Sequence, residues 1–179
     1  MATTHGSSAS DGLQELFVVG LRNAHALEKQ ALSIMEPQVA RIENYPEMAD
    51  RLRLHIEETH QQIARLDEIL SGFDTSGSTL KDIALSMTGG MAAMAHSVAG
   101  DEVLKNTFAN YAFEHFEIAS YKSLLTLSED GGFGSSASLL QQSLSEEQSM
   151  AEWIDQSLPL ITRRYAQLYT QEGSFQAKI

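Results

Sequence analysis

At 179 residues the chain has the length of one domain, enough to bury roughly two-thirds of its unfolded surface. It carries no Cys, which excludes disulfides, rubredoxin-type iron and iron–sulfur clusters and leaves carboxylate and imidazole as metal ligands. With 12 Lys plus Arg against 24 Asp plus Glu, a net charge of -12, the surface repels phosphate backbones and anionic lipid and favours small cations, so a nucleic-acid partner is not expected.

Residues 1–10 are rich in Ser, Thr and Ala, with no basic stretch and no apolar run before Asp11. They read as a disordered tail without a targeting signal, in which His5 has no role. No segment reaches the roughly 20 apolar residues of a membrane span, so the expected location is cytoplasmic, with no membrane partner.

The first helix is predicted over residues 11–43, behind the capping candidates Ser10 and Asp11. Phe17, Leu21, Ala24, Glu28, Leu32, Met35, Val39 and Ile42 fall on one stripe at helical spacing, with Glu28 in its middle and His25 one turn earlier. Pro37 is expected to kink this helix, and Asn44-Tyr45-Pro46 to close it. The second helix, 46–71, has a stripe of Leu52, Ile56, Ile63 and Leu70, with Glu57 at its margin and His60 beside it, three residues on and sharing a face.

A connector over 72–100 contains a predicted minor helix from Thr79 to Val98. Its Met87, Met91 and Met94 suit an apolar cap or an interface, and His96 is read as structural. The third helix, 101–130, sets Glu114 with Tyr111, Ile118, Tyr121 and Leu125, with Glu117 one turn on at the edge, so both carboxylates can point inward. Packing is the simplest role for Tyr111 and Tyr121, with a hydrogen bond or electron relay at the centre as the alternative. His115 reads as structural or solvent-facing rather than as a ligand. The fourth helix runs from 133 toward 170, where Pro159 leaves its end open and 171–179 form a tail. Its stripe of Phe133, Leu140, Leu144, Glu147, Ala151, Ile154, Leu158 and Ile161 turns Glu147 inward and rotates Glu146 away, with Trp153 in core or interface.

Short turns join the first pair and the last pair of helices, and a long connector joins the pairs. This connectivity predicts an all-α, ferritin-like antiparallel four-helix bundle over residues 11–170, with a long crossover between the second and third helices. A glutamate at or beside the stripe of all four helices is costly unless protonated, paired or bound to cations. Basic residues are scarce at matching depth, so divalent iron, manganese or zinc is the economical partner.

Glu28, Glu57-x-x-His60, a glutamate on the third helix and an inward Glu147 resemble the ferritin-like di-iron pattern. The chain is similar to the YciF-like family of bacterial stress-associated proteins in Glu28-Lys29-Gln30, Glu57-Glu58-Thr59-His60, the run from Glu114 to Tyr121, and Leu144-Ser145-Glu146-Glu147. Glu114-x-x-Glu117 also resembles the third helix of rubrerythrins. The resemblance implies two metal ions, iron first, about 3.5–4 Å apart. It places Glu57 and Glu147 as bridges, Glu28 and His60 on one ion, and Glu114 or Glu117 on the other. One departure is Met150, which stands where the ferritin pattern has His. The implied activity is reduction of oxygen or peroxide during stress. The alternative is a non-enzymatic scaffold with a partial metal site. The apolar connector and the Trp153 side of the fourth helix add the expectation of a homodimer.

Overall fold

A computed structural model describes residues 5–73, 102–173 and 176–177. They form four long helices: α1 (His5–Val39), α2 (Pro46–Ser71), α3 (Glu102–Asp130) and α4 (Ala137–Gln171), the last preceded by a 3-10 turn at Gly134–Ser136. Among the described residues there is no strand.

Helix α1 begins at His5, earlier than the caps at Ser10 and Asp11 predict, and it ends at Val39, shortly after Pro37. The proline withholds a backbone donor from the last turn, and the chain turns out at Ala40 and Arg41 with Arg41 N bonded to Gln38 O at 3.0 Å. Pro159 does not end α4, which continues to Gln171. Pro46 opens α2, where a missing N–H carries no penalty. Between α3 and α4 the chain reverses at Gly132, whose φ of 75° suits a residue without a Cβ. Ser128 then accepts Phe133 N at 2.8 Å through its carbonyl and donates its hydroxyl to Phe133 O at 2.9 Å. The predicted helix over Thr79–Val98, with Met87, Met91, Met94 and His96, lies outside the described residues.

Every helix buries residues spaced alternately four and three apart, the repeat that keeps one seam facing its neighbours in a bundle. On α1 the seam is Phe17, Leu21, Ala24, Glu28, Ala31, Met35 and Gln38; on α2 it is Met48, Leu52, His55, Thr59, Gln62, Leu66 and Ile69. On α3 it is Val103, Thr107, Asn110, Glu114, Glu117, Tyr121, Leu124 and Ser128, all buried. The sequence expectation for α2 is thus corrected. The inward line contains His55, Thr59 and Gln62, whereas Ile56, Ile63 and Leu70 are only partly buried.

Contacts fix the directions. Gln38 and Asn110 exchange two side-chain hydrogen bonds of 3.2 and 2.9 Å, Arg41 reaches Glu102 at 2.8 Å, and Tyr121 reaches Glu28. Rising numbers on α1 therefore meet falling numbers on α3, an antiparallel pair. Helices α2 and α4 are likewise antiparallel, with Gln62 on Glu146 and Glu147 and Arg65 on Ser143. Across the diagonal, Thr107 approaches Met48 Sδ and Glu114 approaches His55, so α2 and α3 run parallel. Two consecutive parallel helices need a connection that returns the length of the bundle, which is the crossover the sequence predicts.

Two apolar clusters fill the ends. Phe17, Leu21, Leu66, Leu124 and Leu140 pack near the α3–α4 turn, where Phe17 stacks on Phe133 at 4.9 Å and Phe73 meets both edge-on. Met35, Met48, Leu52, Met150 and Ile154 pack toward the other end. The layer between them is polar.

Candidate metal centre

That middle layer holds five acidic or basic side chains from all four helices: Glu28 of α1, His55 of α2, Glu114 and Glu117 of α3, and Glu147 of α4, each 0–2% exposed. His55, Glu114 and Glu147 each bring one ligand atom within 4.8 Å of the others. His55 Nε2 lies 3.2 Å from Glu114 Oε2 and 3.6 Å from Glu147 Oε2.

The surroundings orient these groups. Glu58, one turn along α2, holds His55 Nδ1 at 2.9 Å and is itself held by Arg51 at 3.0 Å. A carboxylate can only accept, so Nδ1 carries the proton and the Nε2 edge is left to face the glutamates. Tyr121 donates its hydroxyl to Glu28 Oε1 at 2.6 Å, and Gln62 Nε2 donates to Glu147 Oε1 and, at 3.1 Å, to Glu146 Oε2. Arg65 joins Glu146 and gives its Nε–H to Ser143 at 3.0 Å. Glu146 is therefore not a free solvent-facing residue, as its rotation off the stripe suggests, but the anchor of a polar seam between α2 and α4.

Electrostatically the layer is crowded. Burial, with the Glu114 carboxylate adding to it, raises the Glu28 carboxyl to about 7 despite the Tyr121 hydrogen bond. Burial first, then the neighbouring glutamates, holds Glu117 and Glu147 well above the ordinary carboxylate range. Burial disfavours the imidazolium of His55, yet Glu114, Glu58 and Glu147 together raise its pKa well above the usual value. Among the described residues, Glu28 Oε2, both Glu117 oxygens and Glu147 Oε2 have no donor outside the cluster, and Glu114 Oε2 faces only His55 Nε2. Buried oxygens without donors are rare in folded proteins. Oxygen donors beside one imidazole nitrogen, that nitrogen's ring fixed by a carboxylate, are a donor set that fits a divalent ion.

Two predicted residues are not brought here. Glu57 and His60 are exposed, because the buried face of α2 follows His55, Thr59 and Gln62 and carries positions 57 and 60 outward. The two do share a face, but it is the outer one, so the expectations of Glu57 as a bridge and of His60 as a ligand to one ion are corrected. His25 turns instead to Asp67 at 3.1 Å. Tyr111 donates to Asp155 at 3.3 Å on the outer side, with His115 edge-on to its ring at 4.6 Å. Met150, 1% exposed, belongs to the apolar cluster bordering the layer. His55, Glu58 and Gln62 lie off the apolar stripe of the second helix, which is why apolar periodicity does not single them out. The available signal was His55-x-x-Glu58 on a four-three line that Met48 and Leu52 begin and Leu66 and Ile69 end.

The family described as a domain of unknown function, DUF892, matches residues 12–167. The chain belongs to that family. Protein YciF of Escherichia coli (strain K12) is 29% identical to it over 144 residues, covering 76% of this chain and 84% of that protein. The crystal structure of the E. coli stress protein YciF superposes with a TM-score of 0.65 at 27% identity, covering 80% of this chain and 92% of the other. A protein of Xanthomonas campestris pv. campestris superposes with a TM-score of 0.74 at 31% identity, covering 88% and 99%. The family is one of ferritin-like helical bundles, as the motifs of the first and third helices suggest, and YciF is the bacterial stress protein among these relatives. No described helix is long and apolar enough to cross a membrane.

Proposed function

We propose that this DUF892 chain is a two-metal protein of the cytoplasm that reduces peroxide or oxygen under stress. In this reading His55, Glu114 and Glu147 hold one divalent ion, and Glu28 and Glu117 complete a second position beside it. The observation that carries it is the set of buried carboxylate oxygens with no donor outside the cluster, gathered around a histidine whose far nitrogen is already held by Glu58. Glu58 fixes the ring, Tyr121 and Gln62 each tie down one oxygen of a ligand and leave the other free, and the two apolar clusters exclude water. Bound iron would supply the one-electron chemistry that no side chain here has. Manganese or zinc suits the same donors. The stress role rests on the likeness to YciF. A homodimer belongs to the same reading, supported by Phe108 and Phe116, 52% and 46% exposed two turns apart on α3.

One observation favours a second reading, a non-enzymatic scaffold stiffened by a single ion. Only His55, Glu114 and Glu147 form a compact ligand group among the described residues, and all three are sealed from solvent. Anaerobic loading with ferrous iron followed by a peroxide or oxygen pulse separates the two. Oxidation of two ions per chain with consumption of the oxidant supports the enzyme. One inert ion supports the scaffold.

A further inference from the structure

Where α2 starts, it and α4 leave an apolar cavity of about 210 Å³. Met48, Trp153, Leu160 and Ile161 wall it, Ser157 lies among them, and Arg164 borders it. Met48 and Ile161 belong to the same apolar cluster as Leu52, Met150 and Ile154, which separates the cavity from the carboxylate layer.

Its charge is unlike that of the chain. In a protein of net charge -12, the cavity has a half-buried guanidinium with no carboxylate at ion-pair distance among the described residues. The first turn of α2 adds positive potential on the same wall. Tyr45 gives no side-chain cap, Pro46 has no N–H, and the first bond back is Ala49 N to Tyr45 O at 3.0 Å. Glu47 and Met48 thus keep their N–H groups without acceptors among the described residues. The Tyr45 hydroxyl is committed elsewhere, to Ala177 O at 2.5 Å. The one acidic group lining the cavity is Glu47, which is exposed, where solvent and salt screen it.

We propose that this cavity binds a small carboxylate with an apolar or aromatic body, its head on Arg164 and its tail against Trp153, Met48 and Ile161. A guanidinium matches a carboxylate in geometry as well as charge, and the apolar walls favour removing a short tail from water. Trp153 is the only Trp of the chain, so its emission reports occupancy directly.

The test titrates the full chain with octanoate, octanol and octyltrimethylammonium while following Trp153 fluorescence. Octanoate should shift the emission saturably, octanol about tenfold more weakly, and the ammonium least, as a charge-assisted bond of this kind implies. Arg164→Gln should reduce octanoate to the level of octanol, and Arg164→Lys should keep part of the preference. Ser157→Leu, which fills the space without touching charge, should weaken octanoate and octanol alike. Equal response to the three probes, a preference that survives Arg164→Gln, or octanoate binding that survives Ser157→Leu overturns the proposal. No metal enters the measurement, so its outcome is independent of that of the proposed function.

Discussion

His55 is the residue on which the centre turns, and Glu58 is the residue on which His55 turns. Histidines that bind metal have their other nitrogen held by a carboxylate, a backbone carbonyl or water, and losing such a partner weakens binding by about 10–100-fold. Glu58→Gln should therefore lower the affinity for ferrous or cobaltous ion by about that factor, as read by competitive chelator titration, with the stoichiometry at saturation unchanged. Glu147→Gln should act in two directions. It removes a ligand oxygen, so metal binding falls, and it removes a carboxyl whose ionised form is disfavoured by burial and by the neighbouring glutamates, and with it the cost of taking up a proton on folding at neutral pH. The metal-free protein should therefore melt higher than wild type in calorimetry at neutral pH. A metal-free melt that drops instead would mean that the Gln62 hydrogen bond to Glu147 matters more than the repulsion.

At the scale of elements, legibility in the sequence follows from what each helix buries. Helices α1 and α4 bury mostly apolar side chains, with one glutamate each and few other polar groups (Gln38 and Ser143), so Glu28 and Glu147 stand out on a mainly apolar line. Helix α2 places His55, Thr59 and Gln62 in the middle of its buried line, and there apolar periodicity points to the wrong face. Ile56 and Ile63 mimic a stripe about 100° away, which is how Glu57 and His60 come to look internal. The buried line of α3 is more than half polar, so Glu117 appears marginal although it is central. Tyr121 was legible as an inward residue, but its bond to Glu28 depends on the α1–α3 register, which no single-helix pattern contains. That register is held partly by the Gln38–Asn110 amide pair. Replacing Gln38 by Leu leaves the buried Asn110 amide without partners and should cost about 2 kcal/mol in urea denaturation. The double variant Gln38→Leu/Asn110→Leu should recover most of it. If the double variant is no better than the single, the pair does not act as a unit.

For the whole molecule, the buried layer couples stability to pH and to metal. A group whose pKa is higher folded than unfolded stabilises the fold below its unfolded pKa and loses that contribution as pH rises through the folded value. Glu28, raised from 4.5 to about 7, follows this rule, as do Glu117 and Glu147, and His55 has the same sign. Glu58, lowered by His55 and Arg51 against the effect of burial, has the opposite sign, but its contribution is lost only on the acid side of the carboxylate range. The metal-free protein should therefore become more stable as pH falls from about 7 toward 4.5, the reverse of ordinary acid denaturation. Bound metal should invert this slope, since it needs the ligands deprotonated, and its stabilisation should grow with free metal over its dissociation constant. The most direct measurement of the central claim is metal content after anaerobic loading with ferrous iron, compared between wild type, His55→Ala and His60→Ala. The expected result is iron in wild type and in His60→Ala, with most of it lost from His55→Ala; a wild type that retains no iron, or a His60→Ala that loses as much as His55→Ala, would contradict the account.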